Sequence, residues 1–160
     1  MIELENLMLG DWVNLNFDVD YKTGNPIYGY VQVTGINKGG TIDVNCTFDK
    51  SESMQDGWDL KLIKPIELSE EILHKNGFKN DVLAEKSIIA EGASNFSVIL
   101  ISEDNRITLN NIDEYLNSFN KWYVHIDTED MRTMCTAEIT YVHELQHLLK
   151  HCKIKKDIKL

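Results

Sequence analysis

Residues 31–48, Val-Gln-Val-Thr-Gly-Ile-Asn-Lys-Gly-Gly-Thr-Ile-Asp-Val-Asn-Cys-Thr-Phe, decide the fold of the first part of this chain. Val31 and Val33 alternate with polar neighbours, the period of a strand buried on one face. Asn37-Lys38-Gly39-Gly40 supplies a turn, with glycines that take positive φ at no steric cost. Ile42, Val44, Cys46 and Phe48 then alternate with Thr41, Asp43, Asn45 and Thr47. Working outward, the run beginning at Ile27 extends this strand backwards, and Val13, Leu15 and Phe17 alternate with Asn14 and Asn16. Trp58, Leu60 and Leu62 face one way, Asp59 and Lys61 the other. Four or five short strands within about 60 residues cannot leave both edges open comfortably, so a small SH3-like β-barrel is expected over residues 1–65.

Beyond Lys64-Pro65 the pattern changes. Ser69 is a natural N-cap, Glu70 and Glu71 suit the positive end of a helix, and Leu68 and Leu73 are spaced as a hydrophobic staple. Gly77 can end the helix in the left-handed conformation. From Ser87 strands return: Phe96–Ile101, then Arg106–Leu109 across the Ser102-Glu103-Asp104-Asn105 turn, then Trp122–Ile126. Met131–Cys135 is placed to pair with this last strand across Thr128-Glu129-Asp130, and a closing helix is expected from about Ala137 to Cys152. The architecture is therefore α+β: the barrel, then a helix, a short antiparallel β-meander and a C-terminal helix, the second module (66–160) packed on the first.

Composition narrows the function. The chain has 160 residues, 42% hydrophobic and 26% charged, as in ordinary globular domains. Sixteen Lys and Arg against 26 Asp and Glu leave a net charge of −10, which disfavours a polyphosphate partner. No apolar run approaches a membrane span, and no signal peptide opens the chain. Cys46, Cys135 and Cys152 are odd in number and far apart in sequence, unlike a secreted disulfide framework. A reducing cytoplasm is expected, with Cys46 as a small core residue. The basic tail, Lys150, Lys153, Lys155, Lys156 and Lys159, reads as a solvated end that suits the helix dipole.

His143-Glu144-Leu145-Gln146-His147 matches H-E-x-x-H, in which two histidines four apart share a zinc ion and the glutamate serves as general base. A catalytic zinc needs a third protein ligand. The extended motif would need Gly at 150 and His at 153, and both are Lys. No Glu follows His147, and His151 lies roughly 12 Å along the axis from His143. An upstream ligand such as His125 or Asp127 has no recognised spacing to support it. On a helical wheel Val142, Leu145, Leu148, Leu149 and Cys152 form one apolar stripe, with His143, His147 and His151 almost opposite. A zinc peptidase using His143, His147 and Glu144 is thus the alternative expectation.

Tyr21, Tyr28 and Tyr30 are candidates for a peptide-binding aromatic groove, as in some SH3-like barrels. An RNA-binding barrel is a second alternative, but the N-terminal segment carries Asp11, Asp18, Asp20, Asp43, Asp49, Asp56 and Asp59 and shows no cluster of Lys and Arg.

Three blocks, Leu9-Gly10-Asp11-Trp12-Val13, the run from Pro65 to Leu73 ending in Gly77-Phe78, and Tyr141-Val142-His143-Glu144-Leu145-Gln146-His147-Leu148, occur in an order that resembles a family of small uncharacterised proteins of gut anaerobes, their prophages and mobile elements. In that family the closing helix commonly reads Y-V-H-Q-L-Q-N-L, which makes Glu144 and His147 departures that complete the motif. The resemblance implies an accessory protein of a phage or mobile element and, since that family has no assigned activity, supplies no catalytic residues. The expectation from the whole is a non-enzymatic, cytoplasmic, protein-binding molecule without a cofactor. Self-association through the apolar stripe of the closing helix is a further expectation.

Overall fold

The computed structural model describes residues 4–48, 51–81, 95–101, 105–112, 121–128 and 132–160. The strand onset at Ser87, the turn residues 102–104 and 129–130, the start of the last strand at Met131, and the Cys46 and Phe48 side chains lie outside what is described. The fold is α+β, with two antiparallel sheets and two α-helices among the described residues, and the chain divides into two compact units, Met1–Ile66 and Glu67–Leu160.

In the first unit β1 (Trp12–Val19), β2 (Pro26–Ile36), β3 (Thr41–Phe48), β4 (Ser51–Asp59) and β5 (Ile63–Lys64) form one sheet in the order β4-β3-β2-β1-β5. Alternation decides which side chains face inward. Val13, Leu15, Val31, Val33, Ile42, Val44 and Ile63 make a core with Leu7, and Phe17, Trp58, Leu60 and Leu62 pack against it. Leu60–Leu62 is a 3-10 turn, where alternation suggested a strand. The Asp59 carboxylate accepts from the Lys61 amide at 2.9 Å and bends the chain there, so β5 starts only at Ile63. Among the described residues no ladder joins β4 to β5, and the pairing draws an open sheet where a closed barrel is expected from the patterning. A two-residue β5, already paired to β1, offers little edge for a second ladder.

Glycine and aspartate set the corners of this unit. Gly10 (φ +93°) donates to Val33 O at 2.7 Å, and the buried Asp11 carboxylate accepts from the Met8 amide at 2.7 Å. At the β2–β3 bulge a Cβ on Gly35 would run into the Asp43 carboxylate, which accepts from Asn37 Nδ2 and Gly57 N at 2.9 Å each. Asp20 closes the β1–β2 hairpin by accepting from the Lys22 amide at 2.8 Å, and that bond holds its carboxyl below the ordinary value.

In the second unit α1 (Glu70–Lys75) begins at Ser69, whose hydroxyl accepts from the Ile72 amide at 3.3 Å. It ends in a Schellman motif at Gly77 (φ +84°), with Gly77 N donating to His74 O and Phe78 N to Leu73 O. The strands β6 (Lys79–Asn80), β7 (Asn95–Ile101), β8 (Asn105–Ile112), β9 (Trp122–Thr128) and β10 (Thr133–Ile139) form a sheet in the order β10-β9-β8-β7-β6. The closing helix α2 spans Val142–His151 and starts five residues later than its periodicity suggests. Ala137, Glu138 and Ile139 are held as strand by pairing with Val124, Tyr123 and Trp122, a tertiary demand that overrides local propensity.

The basic tail is not a loose end. Ile158 is 2% exposed, and the buried Asn76 clamps Lys159 by accepting from its amide and donating to its carbonyl, both at 2.8 Å. Asn76 also donates to Ile72 O at 2.8 Å, so one carboxamide joins the end of α1 to residues 83 positions away. Replacing Ile158 with Ala should cost about 2–4 kcal/mol of unfolding free energy in urea titration. Asn76→Ala should cost about 1–3 kcal/mol by orphaning buried backbone groups. Unchanged midpoints in both variants would show that the tail is not anchored.

Candidate functional site

The H-E-x-x-H segment opens α2, and its glutamate has a structural post. Tyr141 is the N-cap residue, which puts Glu144 at the third helical position. Its Oε2 accepts from the Tyr141 amide at 3.0 Å and from the Thr140 amide at 2.7 Å. This is the return bond of a capping box, with a second amide added. One of the two Glu144 carboxylate oxygens is thus bound to two backbone donors.

His143 is 4% exposed. Its ring stacks on Tyr141 at 5.7 Å between centroids, and His147, half-buried, meets it edge-on at 5.8 Å. His151 is exposed. The two rings do come together, but among the described residues no third His, Cys, Asp or Glu joins them in a group able to hold a metal ion. The upstream candidates stand apart: His125 is exposed on β9, and Asp127 accepts from Thr133 Oγ1 at 2.9 Å. Among the described residues, then, the glutamate serves at a helix cap and the two imidazoles have no third ligand beside them. Of the apolar stripe that suggested self-association, Val142, Leu145 and Leu149 are at most 1% exposed.

The other candidate lies on the face of the first sheet opposite its core. Tyr28 and Tyr30, two apart on β2, share that face; Tyr30 is 52% exposed and Tyr28 half-buried. Tyr21 is 94% exposed in the turn between Asp20 and Asn25, at the tip of the hairpin and off the sheet face. The register adds residues that pattern reading left as plain polar positions. Asn16 stands opposite Tyr28, Asn14 lies between Tyr30 and Lys64, and Gln32 lies between Trp12 and Asn45. The Lys64 ammonium sits 4.7 Å over the Tyr28 ring, a cation–π contact. The carboxamide oxygens of Asn14, Asn16 and Asn45 are covered by neighbours and have no hydrogen-bond donor. An unmet acceptor of this kind costs about 1–3 kcal/mol. The signal available in the sequence was the repeated Asn at alternate positions beside aromatic ones, which needs the strand register to become a surface.

Four acids of the first unit, Asp11, Asp20, Asp43 and Asp59, are each engaged by backbone amides. No family model, no curated protein and no solved structure matches the chain.

The roles assigned at α2 are separable by experiment. Glu144→Ala should lower stability by about 1 kcal/mol through loss of the cap, while Glu144→Gln, which keeps an acceptor oxygen, should lose less. Protein purified without chelator should carry no zinc that depends on His143. Stoichiometric zinc lost in His143→Ala, with Glu144→Ala as stable as the parent, would reverse both assignments.

Proposed function

We propose that this protein is a non-enzymatic binding module that takes an extended peptide segment of a protein partner on the Tyr28–Tyr30 face of its first sheet. One observation carries the proposal: three asparagine oxygens without donors, two on β1 and one on β3, with half-exposed aromatic rings and a lysine beside the β1 pair, on a sheet face turned away from the core. Peptide backbone is rich in N–H donors, and tyrosines provide contact area at low entropic cost. A small rotation of the carboxamides turns their oxygens outward to meet such donors, which relieves the desolvation cost of the unliganded state. SH3-like architecture is part of the proposal. It is supported by the strand order β4-β3-β2-β1-β5 and by the 3-10 turn that precedes a short last strand paired to β1. The resemblance to accessory proteins of phages and mobile elements supplies the setting, and a cytoplasmic location accords with two free thiols in the second unit.

Selection from a random displayed peptide library tests this directly. Immobilised protein should enrich a sequence family, and the double variant Tyr28→Ala/Tyr30→Ala should bind the enriched peptides at least about tenfold more weakly, the loss expected when central aromatic anchors are truncated. Asn14→Ala should weaken them less. Failure to enrich any family, or enriched peptides that bind the double variant equally well, would remove this face from the function.

A further inference from the structure

Two of the three cysteines, 17 residues apart in sequence, meet in the fold. The reason is a reversal of the chain at Thr140–Tyr141. Counting back from Ile139, Cys135 lies four strand residues away, about 13 Å at the rise of a β-strand. Counting forward from Val142, Cys152 lies ten helical residues away, about 15 Å. These nearly equal lengths on either side of the corner let the two residues stand level, and Cys135 is the neighbour that acts on the Cys152 thiol. The register then sets direction. Cys135 stands opposite Ile126 as Ala137 stands opposite Val124 and Ile139 opposite Trp122, so its side chain is on the face that buries those partners. Cys152, the C-cap of α2, shares the buried side of that helix with Leu145 and Leu149. The thiols are neighbours, Cys152 buried and Cys135 half-buried.

We propose that Cys135 and Cys152 form a site of reversible two-electron oxidation that takes a hydroperoxide and closes to a disulfide between β10 and the end of α2. The site is independent of the peptide-binding face. Burial, and then the adjacent Cys135 thiol, raise the Cys152 thiol above its ordinary value, which keeps it protonated and slow towards oxidant. Cys135, the more accessible of the two, reacts first. Its sulfur attacks one peroxide oxygen, the O–O bond breaks, and with hydrogen peroxide the other oxygen leaves as water, giving a sulfenic acid. The Cys152 sulfur then attacks that sulfur. The S–O bond breaks, the hydroxyl departs with the Cys152 proton as a second water, and the S–S bond forms. Two thiols lose two electrons and two protons, and one peroxide becomes two waters. An external dithiol reverses the reaction by exchange.

The test uses the full chain and hydrogen peroxide, followed by alkylation, digestion and mass spectrometry. The expected product is a Cys135–Cys152 linkage lighter by two hydrogens, restored to two alkylatable thiols by dithiothreitol and formed equally well in Cys46→Ser. Cys152→Ala should leave a sulfenic acid at Cys135 that dimedone traps, and Cys152→Val provides a second version should the first fold poorly. Oxidised parent protein should also melt at higher temperature than the reduced form. Complete alkylation of both thiols after peroxide, linkage through Cys46 instead, or conversion of Cys135 to sulfinic acid with Cys152 untouched would overturn the proposal.

Discussion

The Glu144 carboxylate, accepting from the amides of Thr140 and Tyr141, makes the corner on which the second unit is assembled. A strand that turns straight into a helix leaves several amides without partners, and burying them unpaired is costly. Supplying both donors with one oxygen lets β10 stop and α2 start with one N-cap residue and Thr140 between them. The same corner receives the chain entering the unit: Leu68 N donates to Thr140 O at 2.9 Å, and Glu67 bridges to Tyr141. The Trp122 indole N–H reaches Leu68 O at 3.1 Å and closes the joint from the sheet side. The packing of Leu145 and Leu149, the stacking of Tyr141 on His143, and the meeting of Cys135 with Cys152 all follow from the direction this corner imposes on α2.

Local chemistry was readable wherever it was local. Ser69, Leu73 and Gly77 announce both ends of α1 because every partner involved lies within a turn or two. The alternation of Val13 with Leu15 and of Ile42 with Val44 announces strands because burial on one face imposes a period of two. What required distant partners was not readable. Ala137–Ile139 looks like helix until β9 pairs with it. The basic tail looks solvated until Asn76 grips Lys159 from across the unit.

The candidate sites divide in the same way. Tyr28 and Tyr30 could be chosen from their spacing, whereas Lys64, Asn14 and Asn16 join them only through strand register. The H-E-x-x-H segment shows the opposite failure, since the pattern was visible but had two physical explanations. A glutamate three residues after an N-cap and a glutamate between two metal-bound histidines occupy the same position in a sequence. The hydrogen bonds of Glu144 show the first of these roles in use. The aspartates of the first unit are a related case: in the sequence they count only as negative charge, while Asp11, Asp20, Asp43 and Asp59 serve as acceptors that hold turns and bulges.

The grip of Asn76 on Lys159 also dictates an order of events during synthesis. It spans 83 positions, whereas the first four strands of the opening sheet are linked by successive hairpins. Contacts between near neighbours close quickly, and those across long loops wait on chain entropy. On a ribosome the opening sheet can therefore gather while the second unit is still emerging. The second unit keeps the end of α1 unlatched until the segment bearing Lys159 has left the exit tunnel, and through that interval the surface later covered by Ile158 is open to chaperones.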